Sequence, residues 1–183
     1  MHTRNEQRPG HLTSLNQSTF LETLNEHRGI VLKVASVYCS NPTEREDLVQ
    51  TITAELWYAY PRYDSHFRFS TWMYRICVNV AISNYRRESR YSKTREPLEE
   101  AHLETRAADS PTPWDEQRSI LYDFIEELGE LDRALMLLYL DDMSHAEIAD
   151  VLGISVTNVA TKIGRIKLRF RNASTQLIAS KKE

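Results

Sequence analysis

Glycine and proline are scarce in this chain of 183 residues, at five and six. So few turn residues argue against a sandwich or barrel of many short strands. There is also no Gly-rich loop to cradle a phosphate. The two cysteines, Cys39 and Cys77, are too few for a disulfide framework and lack metal-ligand spacing. They read as buried thiols in a reducing compartment. No apolar run approaches the ~20 residues of a membrane span. Residues 1–19 are polar and lack the apolar segment of a secretory leader. No nucleophile–base pair appears, so no catalytic residue, metal or cofactor is expected. A non-enzymatic cytoplasmic protein without membrane insertion is the expectation.

An apolar content of 41% and a charged content of 27% are near globular averages, enough for a packed core. Helical spacing recurs three times before residue 90. Phe20, Leu24, Val31, Val34, Ala35 and Tyr38 form one stripe, with Thr19 and Glu22 offering a capping box at its start. Leu48, Ile52, Leu56 and Ala59 form a second, which Thr43 with Glu46 would cap and Pro61 would stop. Phe69, Trp72, Met73, Ile76, Val80 and Ala81 form a third. Between Glu88 and Pro113 large apolar residues almost vanish, which reads as a charged linker. Two short helices broken near Gly129 follow, and then two more. The expected fold is all-α: a disordered tail over 1–17, a helical domain over 18–91, a flexible linker over 92–113 and a second helical domain over 114–178.

The second domain carries a local motif. Ser144 with Glu147 is a capping box before the apolar Ile148, Ala149, Val151 and Leu152. Gly153 falls where a left-handed residue ends a helix, and Ser155 can cap the next one. Small Ala149, the glycine turn, Ile154 and Val159 fit a helix-turn-helix. Val159, Ile163 and Ile166 would face inward, leaving Ala160, Thr161, Lys162, Gly164 and Arg165 outward as on a recognition helix. Charge is segregated to match. Residues 114–150 hold eleven acids and two bases (Arg118, Arg133), a balance of −9, whereas residues 155–182 hold seven bases and no acid. Clearing only the second helix of acids suits an approach to phosphates.

A second basic tract covers residues 62–95, with Arg62, Arg68, Arg75, Arg86, Arg87, Arg90, Lys93 and Arg95 against Asp64 and Glu88. It is interleaved with Tyr63, Phe67, Phe69, Trp72, Tyr74, Tyr85 and Tyr91. Cations beside ring faces are what unpaired bases require. Asn79, Ser83 and Asn84 add groups able to bond base edges, although Phe69 and Trp72 also sit on the apolar stripe.

"FSTWMYRICVNVAISNYRR" (69–87) closely resembles a helix of bacterial sigma factors of the extracytoplasmic-function (ECF) group. "EDLVQTITAELW" (46–57) resembles their polymerase-binding helix, and "SHAEIADVLGIS" (144–155) with the basic helix after it resembles their promoter-binding domain. The resemblance runs from about residue 20 to 172 and includes the order of the parts. It implies a region 2-like N-terminal bundle and a region 4-like C-terminal helix-turn-helix. The implied function is a transcription initiation factor that binds core RNA polymerase, at the clamp of its largest subunit, and directs it to promoter DNA.

Carried over, Asp47, Leu48, Gln50, Thr51, Ala54 and Trp57 would meet the polymerase. Asp64, Ser65, His66, Phe67, Arg68, Phe69, Trp72, Arg75, Asn79, Ser83, Arg86 and Arg87 would open and read the −10 element, holding a flipped base. Ser155, Thr157, Asn158, Ala160, Thr161, Lys162, Gly164, Arg165, Lys167 and Arg169 would read the −35 duplex. An anti-sigma factor is an implied further partner. Thr51 and Thr53 stand where family members often carry an acid and a phenylalanine. The alternative is a stand-alone helix-turn-helix regulator that is not a polymerase subunit.

Overall fold

Residues 20–92, 121 and 123–180 are described by a computed structural model, and every regular element among them is helical. The tail over 1–17, the Thr19 cap, the segment 93–120 and Lys181 and Lys182 lie outside the described residues.

The first apolar stripe forms two helices, not one: α1 (residues 20–26) and α2 (Arg28–Tyr38). The break is at His27, whose N–H is shared between the Thr23 and Leu24 carbonyls at 3.2 Å each. Helix α3 (Pro42–Ala59) starts at Asn41, whose side chain accepts from the Thr43 and Glu44 N–H groups at 2.9 and 3.4 Å. Asn41 therefore replaces the expected box of Thr43 with Glu46. Pro42 at the first helical position lacks an N–H and already has a helical φ, so the cap falls on the residue before it. Pro61 ends the helix through a 3-10 turn at Tyr60–Arg62. Helix α4 (Phe69–Ser92) follows a short loop.

Val34, Ala35, Leu48, Ile52, Leu56, Met73, Cys77 and Ala81 close the N-terminal core. On α4 the buried arc is wider than the expected stripe and turned from it. Met73, Tyr74, Cys77, Val78, Ala81 and Ile82 are buried, while Trp72, Ile76 and Val80 are half-buried. The cause is that α4 packs on α2 and α3 and also on helices of the C-terminal half.

That half contains α5 (residues 123–126), α6 (Glu130–Leu140), α7 (His145–Leu152) and α8 (Val156–Ser180). The helical break near Gly129 is present, with extended backbone at that residue. Six consecutive residues of α6, Arg133 to Leu138, are buried. A helix buried on every side must have neighbours on every side. Here they are α7 and α8 of its own half, and α2 and α4 of the other. The two tethered halves expected from the sequence are thus packed together over a continuous apolar core.

Arg133 lies at this junction, only 6% exposed. It donates to the Val37 carbonyl at the end of α2 (3.1 Å), to the Glu126 carbonyl and to the Leu128 carbonyl (3.4 Å). Its guanidinium is 5.7 Å from the Tyr38 ring centre and 5.1 Å from that of Tyr85. Carbonyls at helix ends carry partial negative charge, and ring faces add to it, so a desolvated cation is tolerated here.

Candidate nucleic-acid interface

The helix-turn-helix is built as its caps require. The Ser144 Oγ accepts from the Glu147 N–H (3.2 Å), while Glu147 Oε2 accepts from the Ser144 N–H (3.0 Å) and hydroxyl (2.8 Å). Those bonds, with a further one from Arg68, hold the Glu147 carboxyl below its ordinary range. Gly153 has φ 67°, a left-handed geometry that a side chain would strain, and the Ile154 N–H reaches back to Ala149 at 3.2 Å. Ser155 caps α8 by accepting from the Asn158 N–H at 3.2 Å. Val159, Ile163 and Ile166 are buried, as the spacing predicts.

The outward face of α8 carries Thr157, Ala160, Thr161, Gly164 and Arg165, all exposed, with Ser155 and Asn158 at its start. A Cβ added at Gly164 would meet nothing within 4 Å, so no packing constraint demands glycine there. The flanking bases point elsewhere. Lys162 is half-buried and pairs with Asp132 of α6 at 2.7 Å, a correction to its expected place on the duplex side. Lys167 donates to the Tyr139 hydroxyl and lies 4.2 Å from that ring centre. The Arg169 guanidinium is 5.9 Å from the Phe124 ring centre. Part of the charge segregation is therefore internal: basic α8 lies along the acid-rich helices of its own domain.

In the N-terminal half, the loop from Tyr63 to Arg68 is shaped by its own polar groups. Asp64 accepts from the His66 N–H (3.0 Å) and meets the ring Nδ1 at 2.7 Å, and both contacts lower its carboxyl from the ordinary value. The Tyr63 hydroxyl donates to the Phe67 carbonyl at 2.6 Å. Ser65 and His66 are exposed, and the Phe67 ring is presented outward at 63% exposure. Beneath it, Tyr63, Phe69 and Trp72 cluster with ring centres 5.0 to 5.2 Å apart. Phe69 and Trp72 are half-buried, so each supports the loop and retains some accessible surface.

Along α4, Arg75, Asn79, Ser83, Arg86 and Arg87 are exposed at spacings of about one helical turn, giving a polar line beside the loop. Tyr74, read from the sequence among the ring platforms, is instead buried, where its hydroxyl donates to Asp141. The same line faces the C-terminal half: Arg75 Nε donates to the Asp150 carbonyl at 3.1 Å, and Arg86 meets Glu130 at 2.8 Å.

The third surface is on α3. Asp47, Gln50, Thr51 and Ala54 are exposed and Trp57 is half-buried, whereas Leu48 is in the core at 1% exposure. Phe20, Leu21, Val49, Gln50, Thr53, Ala54 and Trp57 line an open, largely apolar groove of about 440 Å³. Leu21 is 54% exposed, and the Phe20 and Trp57 rings meet edge to face at 5.1 Å. Sequence reasoning missed Phe20, Leu21 and Val49. The signal available was an apolar pair at 20–21, with Leu21 outside the helical stripe.

Burial pushes the Cys39 thiol up to about 11 and the Cys77 thiol up to about 12, so both stay protonated and unreactive at neutral pH. Among the described residues no three His, Cys, Asp or Glu side chains form a metal-binding group, and no helix is long and apolar enough to cross a membrane.

Known proteins align with both halves in order. Sigma-70 region 2 matches residues 23–91, and Sigma-70, region 4 matches residues 118–170. The RNA polymerase sigma factor CnrH of Cupriavidus metallidurans is 28% identical over 164 residues, covering 85% of this chain and 86% of that protein. The ECF RNA polymerase sigma-E factor of Haemophilus influenzae is 30% identical over 137 residues, 69% of this chain and 72% of that one. Among solved structures, the sigma factor RpoE in complex with the anti-sigma factor NepR, from Bartonella quintana, has the same fold. Its TM-score is 0.67 at 17% identity, covering 84% of this chain and 95% of that one.

Proposed function

Because the chain belongs to the sigma-70 family, as an RNA polymerase sigma factor of the ECF group, we propose that its two halves grip one promoter at two places. In this reading the boundaries 18–91 and 114–178 mark the two grips. The groove beside Gln50, Ala54 and Trp57 receives the polymerase clamp, with Leu21 added to its rim. The loop from Asp64 to Phe69 and the α4 line of Arg75, Asn79, Ser83, Arg86 and Arg87 hold the opened −10 strand, with Phe67 and Trp72 as stacking surfaces. The face of α8 around Thr161, Gly164 and Arg165 enters the −35 major groove.

One observation carries this reading: both sigma regions are present in order, with the groove on α3 open and the face of α8 around Thr161, Gly164 and Arg165 exposed. A stand-alone helix-turn-helix regulator would leave the region 2 half and its groove without a task. The chain has no catalytic role of its own in this reading, acts in the cytoplasm, and is controlled by an anti-sigma factor, as RpoE is complexed by NepR.

The test is transcription from a promoter library by purified core polymerase with this chain added. Start sites that depend on the chain, sharing upstream and −10 sequences, are expected. Copurification failure together with no dependent start site would overturn the reading.

A further inference from the structure

The loop between the 3-10 turn and α4 directs its hydrogen bonds onto one residue. Phe67 donates its N–H to the Asp64 carbonyl at 3.1 Å, and its own carbonyl accepts from the Tyr63 hydroxyl at 2.6 Å. Both backbone groups of Phe67 are therefore held, while its ring stands 63% exposed. One residue earlier, the His66 N–H donates to the Asp64 carboxylate at 3.0 Å, which fixes the approach to Phe67.

Tyr63 is itself anchored on both sides. Its N–H donates to the Tyr60 carbonyl at 3.0 Å, at the end of the 3-10 turn. Its ring centre lies 5.2 Å from that of Phe69 and 5.0 Å from that of Trp72, both in the first turn of α4. The hydroxyl thus reaches from a packed aromatic support to the far side of the loop. A phenylalanine at this position would fill the same space against Phe69 and Trp72, so packing does not account for the hydroxyl. An exposed ring gains by folding onto apolar surface nearby, and the bonds at Phe67 oppose that collapse.

We propose that Tyr63 is a positioning residue for strand capture: its hydroxyl fixes the Phe67 backbone so that the ring is already presented when an unpaired DNA base arrives. This rests on the reading of the loop as part of the strand-holding surface. The bond to the Phe67 carbonyl is exposed, so water can take the place of the hydroxyl. Its removal therefore costs loop order and leaves no polar group buried without a partner. A loop ordered in advance has less freedom to lose on binding, and the difference appears as affinity.

The experiment uses core polymerase loaded with the full chain, core polymerase alone as the baseline, and a labelled mixed-sequence DNA single strand as the probe. Strand binding is read by fluorescence anisotropy for the parent, Tyr63→Phe, Phe67→Ala and the double variant. Tyr63→Phe keeps the ring and its packing, and circular dichroism checks its fold. It is expected to bind the strand about fivefold more weakly. Phe67→Ala is expected to weaken strand binding by about tenfold, the loss of one stacking platform. In the double variant the missing hydroxyl should make no further difference, because no ring is left for it to position.

Parent-like strand binding by Tyr63→Phe beside a loss in Phe67→Ala overturns the positioning role alone. An equal loss from the hydroxyl with and without the Phe67 ring overturns it too, because the contribution would then be structural. Parent-like binding by Phe67→Ala removes the loop from the strand-holding surface and takes the proposal down with that reading.

Discussion

The Arg133 guanidinium and the Val37 carbonyl, 96 residues apart in sequence, meet at 3.1 Å in the junction between the two halves. The bond joins α6 to the end of α2, and Tyr38 and Tyr85 present their rings to the same cation. Replacing Arg133 with alanine leaves the buried Val37 and Leu128 carbonyls, and the half-buried one of Glu126, without that donor. The expected cost is about 2–4 kcal/mol in urea denaturation. Lysine at this position should recover only part of it, because an ammonium cannot span both helix ends as a planar guanidinium does. Alanine within 0.5 kcal/mol of the parent, taken as roughly the noise for a surface change, would remove Arg133 from the junction's energetics.

Leu21 tests the groove on α3. It is more than half exposed, so Leu21→Asp should leave stability within about 0.5 kcal/mol. A carboxylate placed on the apolar rim should nevertheless weaken binding to core polymerase by about tenfold or more, read by competition with a labelled parent chain. Equal affinity would move the polymerase contact off this groove.

Arg165 and Lys162 lie three residues apart on α8 and should separate cleanly. Arg165→Ala is expected to weaken binding to the upstream duplex and to reduce the salt slope by about one, with polymerase binding intact. Lys162→Ala removes the pair with Asp132 instead, so its effect should fall on stability, at about 0.5–1 kcal/mol. A larger loss of duplex affinity in Lys162→Ala than in Arg165→Ala would reverse the assignment of the two faces.

Gly164 carries a helix penalty of about 1 kcal/mol relative to alanine, and nothing in the protein occupies the space its Cβ would fill. Gly164→Ala should therefore raise stability by about that amount and weaken upstream-duplex binding, because the methyl group would stand where the helix backbone meets DNA. A stabilised variant with unchanged duplex binding would show that the close approach is absent.

Acid should loosen the junction. Burial alone would raise the Asp141 carboxyl, but the bonds from Lys33 and Tyr74 outweigh it and hold it below its ordinary 3.8. Glu147 is likewise held below 4.5 by Ser144 and Arg68. Both release their protons more readily folded than unfolded, so their contribution is complete above the ordinary values and is lost as pH falls through the lower folded ones. Denaturation midpoints followed downward from neutral pH should fall through this window, and Asp141→Asn should flatten the decline.

The parts that were legible in the sequence are those decided locally. Ser144, Glu147 and Gly153 define their turn within ten residues, and the spacing of Val159, Ile163 and Ile166 fixes which side of α8 is buried. The side occupied by Lys162 was not legible, because its partner Asp132 comes from a helix whose crossing angle no local pattern records. The packing of the two halves left one trace, the unbroken apolar run "ALMLLYL" beside Arg133. Such a run has more apolar faces than one small bundle can cover. Asn41 prevailed over Thr43 as a cap because Pro42 imposes the first helical position, a rule visible in the sequence but outweighed there by the Thr43 and Glu46 pattern.

The two oxygens of Glu147 have different partners. Oε2 secures the first turn of α7 through Ser144, and Oε1 alone reaches across to Arg68. Losing the second would leave the first in place. The first turn of α7, and with it the entry to the helix-turn-helix, is therefore secured within its own half of the chain, whatever Arg68 does.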